Sequence, residues 1–262
     1  MNKKKIALVI TAACAALLIA YEFFVENILF STLDEGVRSL VDMIVTRSLG
    51  AVVFTTILAY LGYKVLNPIK KPFFKGLAFC LPAYVVAINN FPFSSVIKGD
   101  ATIDSTVGKI ILLAIECLAV ALFEEMAFRG VIFLGFAEKR RESRLGIFIS
   151  IIFSSAVFGA VHLLNLFTSS PIAVLMQIGY SFLIGGMCSV VLIKTANIWH
   201  CVAVHAIFNF SGAVVPTFGV GKIWDSFTII ITALIAVLTF AYMLVFFSRF
   251  DVSETDRIYP IK

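Results

Sequence analysis

Two adjacent glutamates, Glu124 and Glu125, an arginine, Arg129, two histidines, His162 and His205, and an asparagine, Asn209, lie in otherwise apolar sequence. Together these residue types can hydrolyse an amide. An ionisable group inside a membrane helix costs roughly 2.5–3.5 kcal/mol on insertion scales, so each needs a partner or a function. On an α-helix Glu125 and Arg129, four residues apart, share a face, while Glu124 is turned about 100° away. Glu125 is therefore expected to neutralise Arg129. Glu124 then has no local cation and is the carboxylate suited to act as general base. His205 and Asn209 are also one turn apart, and an imidazole and a carboxamide converging on one volume can stabilise the oxyanion of a tetrahedral intermediate. His162 stands one turn after Phe158, which gives the imidazole an aromatic wall, and is expected to help Glu124 orient water. The competing reading makes Glu124, Glu125 and Arg129 a buried ion network and His205 with Asn209 an interhelical polar tie. A single histidine such as His162 is, by itself, more often a packing residue; its company decides for chemistry.

The elements that must hold these groups are read from the composition. Of 262 residues, 60% are hydrophobic and 14% charged, which excludes an ordinary soluble core and suits a chain whose surface faces lipid. The fold class is all-α, a single polytopic membrane domain over residues 1–262. Apolar stretches able to cross about 30 Å of hydrocarbon recur at Ile6–Ala20 (extending to Phe30), Ser48–Leu66, Phe73–Phe93, Val107–Phe136, Leu145–Phe167, Pro171–Ile193, Ala196–Phe218 and Ser226–Phe247. About eight transmembrane helices are thus expected. Alternating their ends divides the 21 Lys and Arg unevenly: fifteen on one side, only Arg38, Arg47, Lys98, Lys109 and Lys222 on the other, with Arg129 inside the membrane. Cytoplasmic loops are enriched in these residues, so both termini are predicted cytoplasmic. The basic start Met1-Asn-Lys-Lys-Lys is read as a topology signal rather than a cleaved leader, and the tail 249–262 as a short cytoplasmic segment without a lipidation signal.

Three motifs lie on successive expected spans: Glu124-Glu125-Met-Ala-Phe-Arg129, Phe158-Gly-Ala-Val-His162 and His205-Ala-Ile-Phe-Asn209. In this order they resemble the CPBP family of intramembrane proteases, which includes type II CAAX prenyl endopeptidases and bacterial Abi-type proteins. The resemblance covers roughly 107–218 and leaves 1–106 as variable helical scaffold. It implies that Glu124 and His162 activate water, that His205 and Asn209 form the oxyanion site, and that Glu125 and Arg129, with Phe158, support them. It also implies a multi-pass protein of the bacterial plasma membrane acting on a hydrophobic or lipid-modified peptide near its C-terminus. Membrane lipids are the other expected partner, and the basic patches are too dispersed for nucleic acid.

No metal or other cofactor is expected, the alternative being a divalent ion such as Zn²⁺ on Glu124, His162 and His205; the sequence has no H-E-x-x-H, and His200 points elsewhere. The five cysteines, Cys14, Cys80, Cys117, Cys188 and Cys201, show no metal spacing and read as small buried hydrophobes. Glu116, about two turns before Glu124, is read as an interhelical hydrogen bond, the alternative being a supporting or substrate-path role, and Gly179, Gly185, Gly186 and Ser189 read as close helix packing. Two further functions stay open: a membrane scaffold or bacteriocin-immunity protein, and a transporter using Asn89, Asn90, Gln177 and the paired glycines.

Overall fold

The computed structural model of the chain describes residues 3–24, 30, 32–67, 73–221 and 223–260. The extension of the first expected span toward Phe30, and Lys70, Lys71, Lys222 and Lys262, fall wholly or mostly outside them. In order come α1 (Lys3–Phe24), α2 (Glu35–Leu61), α3 (Phe73–Asn89), the short α4 (Phe93–Lys98), β1 (Ala101–Ile103) and α5 (Val107–Glu124). A π-helical segment (Glu125–Phe133) continues α5 into α6 (Leu134–Ala137). Then follow α7 (Arg144–Val161) with a 3-10 extension (His162–Phe167), α8 (Pro171–Thr195), α9 (Ile198–Phe218), β2 (Gly219–Gly221), α10 (Ser226–Ser248) and a 3-10 turn (Val252–Arg257).

The architecture is all-α and membrane-spanning, as expected; β1 and β2 form one antiparallel rung, Ala101 opposite Gly221, that ties two loops together. Five helices are long and apolar enough to cross a membrane by length and composition: Glu35–Leu61, Arg144–Phe167, Pro171–Thr195, Ile198–Phe218 and Ser226–Ser248. The expected spans at α3 and α5 fall short of that measure for visible reasons. The former has 17 residues and the latter carries Lys109, Glu116 and Glu124.

The second expected span began at Ser48, whereas α2 begins at Glu35. Its extra turns hold polar residues that find partners inside the bundle: Tyr21 donates its hydroxyl to the Asp42 carboxylate, and Thr46 Oγ1 donates to the Asp42 carbonyl at 2.9 Å. A hydropathy reading stops at such residues, but a paired carboxylate does not end a helix.

The basic residues grouped by the alternation meet at one end of the bundle. Arg141 pairs with Asp256 at 2.8 Å and Lys194 with Glu254 at 3.0 Å, while the 258 carbonyl accepts from the Lys64 backbone at 2.7 Å. The tail is accordingly packed rather than loose: Phe250, Ile258 and Tyr259 are buried, and Tyr259 donates to the Leu134 carbonyl at 3.1 Å. Lys98, Lys109 and the β-rung mark the opposite end.

The core is the meeting of α2, α5, the π segment, α7, α8 and α9. At position 50 a Cβ would come within 2.6 Å of the Phe123 ring, so only glycine lets α2 close on the residue beside Glu124. Between α8 and α9 the chain turns within two residues, Ala196 adopting φ 49° and Asn197 Oδ1 accepting from Trp199 N at 3.0 Å. That tight turn sets α9 antiparallel against α8 and aims His205 inward.

Candidate active site

The site forms where the π segment faces α9. Glu125 is fully buried, and its Oε1 lies 3.1 Å from Arg129 Nη1 and 2.7 Å from His205 Nδ1. The expected pairing of Glu125 with Arg129 is present. A carboxylate can only accept, so Nδ1 carries its proton and Nε2 is the free end of the ring. That Nε2 is 3.4 Å from Glu124 Oε2. Glu124 was expected to stand apart, but His205 bridges the two glutamates. For the second contact to attract, one proton must reside on Glu124 or on Nε2.

An α-helical reading put Glu124 and Glu125 about 100° apart, yet one imidazole reaches both. The backbone runs as π-helix from Glu125 to Phe133, a form that concentrates at functional positions. Ser154 of α7 donates to the Phe128 carbonyl within this segment at 3.2 Å.

Phe158 binds the rest together. It is 1% exposed, with its ring centroid 5.2 Å from that of His162 and 5.8 Å from that of His205, and the Arg129 guanidinium lies 4.3 Å over its face. Sequence reading gave Phe158 one histidine; it has two and a cation. The Arg129 guanidinium and Glu125 Oε2 make no hydrogen bond of good angle, so the 3.1 Å pair is held by charge, and the Phe158 face supplies part of what the buried cation lacks.

His162 stands at the junction of α7 with its 3-10 extension. Its Nδ1 lies 2.9 Å from the Phe158 carbonyl, so Nδ1–H donates there and the Nε2 lone pair faces outward, half-buried. Asn209, one turn beyond His205, is half-buried, and among the described residues its carboxamide has no hydrogen-bond partner. His200 is turned to α3, its Nδ1 3.4 Å from the Tyr84 hydroxyl, as anticipated. Glu116, half-buried on α5, lies within the field of Arg47 from α2, and Arg47 stands 5.5 Å over the Phe123 ring.

The conditional metal set Glu124, His162 and His205 is not gathered. Among the described residues, the one acid, thiol or imidazole trio whose ligand atoms fall within 4.8 Å of one another is Glu125, Cys188 and Cys201. Both His205 nitrogens already face carboxylates. As placed, the expected set does not fit an ion. The thiols of Cys188 and Cys201 face each other's backbone carbonyls across α8 and α9, a contact the spacing gave no sign of.

A second feature missed in sequence is the role of Gly185. A Cβ there would lie 3.1 Å from Arg129 Nη2 and 3.2 Å from Ser155 Oγ, whereas at Gly186 the nearest atom is at 3.7 Å. The paired glycines signalled close approach, but not that one of them admits a guanidinium.

Fold and site define an all-α, polytopic membrane protein with a carboxylate–imidazole–guanidinium cluster buried among its helices. Residues 106–211 match the model of the family described as Rce1-like, type II CAAX prenyl endopeptidase. All three motifs fall inside that segment. No curated protein and no solved structure matches the chain.

Proposed function

We propose that the protein is an intramembrane endopeptidase that cleaves a hydrophobic or lipid-modified peptide near its C-terminus, with Glu124 as the base. The observation that carries this reading is the double contact of His205 with Glu125 and Glu124. A structural ion pair needs only Arg129 and Glu125. A second carboxylate held on the far nitrogen of the same imidazole is the arrangement of a proton-transfer site.

In this mechanism water enters between Glu124 and His162, Glu124 takes its proton, and the oxygen attacks the peptide carbonyl. His162, with Nδ1–H committed to the Phe158 carbonyl, offers Nε2 as an acceptor that orients the water. The developing oxyanion is met by His205 Nε2–H and the Asn209 amide. Glu125 holds the His205 tautomer and stabilises the imidazolium, and Arg129 keeps Glu125 ionised. Glu124 then returns the proton to the leaving amine as the C–N bond breaks. No step uses a metal ion, and treatment with a strong chelator is expected to leave cleavage intact. The setting is a multi-pass bacterial plasma-membrane protein with lipid around it.

The test compares peptide termini in membranes and medium from cells expressing wild type, Glu124→Ala or His205→Ala at matched levels. Termini absent from both variants establish proteolysis and reveal the cleavage position. Identical termini with both variants folded sink the peptidase reading and favour the non-catalytic scaffold or immunity function.

A further inference from the structure

A chain of polar side chains approaches the site from α8, where none of the three motifs lies. Tyr180 is 43% exposed, and its ring packs on Phe208, the neighbour of Asn209, with centroids 5.7 Å apart. Its hydroxyl lies in the field of Glu124, and Gln177 stands one turn before it on the same helix. Gln177 Oε1 in turn accepts from Asn165 Nδ2 at 2.7 Å, and Asn165 sits on the 3-10 extension three residues past His162. Tyr180 therefore stands among the elements that carry Glu124, His162 and Asn209.

The donors in this chain have a fixed direction. Gln177 Oε1 is taken by Asn165, so the end of Gln177 left to face Tyr180 is its NH₂, which can only donate. The Tyr180 O–H is then free to donate, and among the described residues it has no acceptor. Neighbouring α8 positions that face outward are apolar, Leu175, Met176 and Leu183 being 60–69% exposed. A hydroxyl donor without an acceptor in such surroundings is costly unless a ligand or water completes it.

We propose that Tyr180 is a substrate-facing residue whose O–H donates to the carbonyl oxygen of the bond being cleaved, beside Asn209, and that Asn165 and Gln177 hold it in that sense. This rests on the peptidase reading, so the experiment separates the two. Termini that depend on Glu124 are first identified by comparing wild type with Glu124→Gln, and the corresponding peptide is synthesised and assayed with purified protein in mixed micelles. Tyr180→Phe, which removes one oxygen atom, is expected to lower kcat by roughly a hundredfold, as loss of one oxyanion donor does, with KM little changed. Gln177→Leu, which leaves the phenol free to turn, is expected to give a smaller loss, also in kcat. A Tyr180→Phe protein that keeps kcat within about twofold, or loses activity only through KM or through a lowered melting temperature, overturns the Tyr180 assignment and leaves the peptidase reading standing. Absence of any Glu124-dependent termini overturns both.

Discussion

Helices α9 and α10 are both apolar and nearly the same length, 21 and 23 residues, yet the bundle treats them oppositely. In α9 the most apolar stretch is 39% buried and holds His205 and Asn209, with His200 just before it; in α10 the corresponding stretch is 0% buried and holds no charged residue. The less hydropathic of the two is the one surrounded by protein. In water the order would be reversed. In lipid, a purely apolar helix gains nothing from leaving the acyl chains, whereas polar side chains must be given protein partners. Low hydropathy in a spanning helix therefore marks the inside of this molecule.

The contrast can be broken or sharpened by substitution. The largest effect is expected from Glu124→Gln, which keeps shape and removes the base: cleavage should fall by about 10²–10⁴-fold with melting in detergent nearly unchanged. An active Glu124→Gln protein would reduce the inner cluster to a structural tie. Next comes Arg129→Met, which strands Glu125 without its cation and should cost about 3–5 kcal/mol in unfolding free energy in mixed micelles. Gly185→Ala should lower activity roughly tenfold by displacing the Arg129 guanidinium, while Gly186→Ala, which meets only ordinary contacts, serves as its matched control. Equal behaviour of the two would show that Gly185 does no more than pack helices.

A smaller effect is expected at the start of α10. Asp225 accepts from Lys98 Nζ, Ser94 Oγ and the Thr228 N–H at 2.7, 2.7 and 2.8 Å, and the Lys98 bond first, with the others, holds its carboxyl well below the usual 3.8. A depressed folded-state value stabilises the protein above the ordinary value, and the contribution is lost as pH falls below it. The melting-temperature gap between wild type and Asp225→Asn should accordingly be present at neutral pH and close under strong acid. Smallest of all, Leu238→Ala on the lipid face of α10 should change stability by no more than about 0.5 kcal/mol. A cost like that of a core truncation would mean that a protein surface covers this helix.

Much of this was legible in the residues, because lipid makes polar groups conspicuous. Glu125 with Arg129, the inward turn of His205 and the turn of the buried His200 away from it follow from spacing along single helices. What spacing could not provide is anything depending on backbone departures or on contacts between distant segments. The bridge from His205 to both glutamates comes with a π segment that a 3.6-residue period does not represent. The start of α2 was obscured by Asp42, whose partner Tyr21 is 21 residues away. The place of Tyr180 could not be read from α8 alone, since its meaning arises from Phe208 and Asn165 on other helices. Nor could the spacing along α7 show that Phe158, touching both imidazoles, joins His162 to the cluster.

The π segment also stores a difference in phase. Residues before Glu125 and after Phe133 belong to helices whose angular counts no longer agree, so a ruler of α-helical turns laid across the join assigns Phe136 and its neighbours to the wrong side. Deleting one residue between Met126 and Phe133 would let the stretch relax to a continuous α-helix and rotate everything downstream, Tyr259's docking carbonyl on Leu134 included. Grafts and chimaeras of this protein must therefore carry that stretch whole, since its length is part of its meaning.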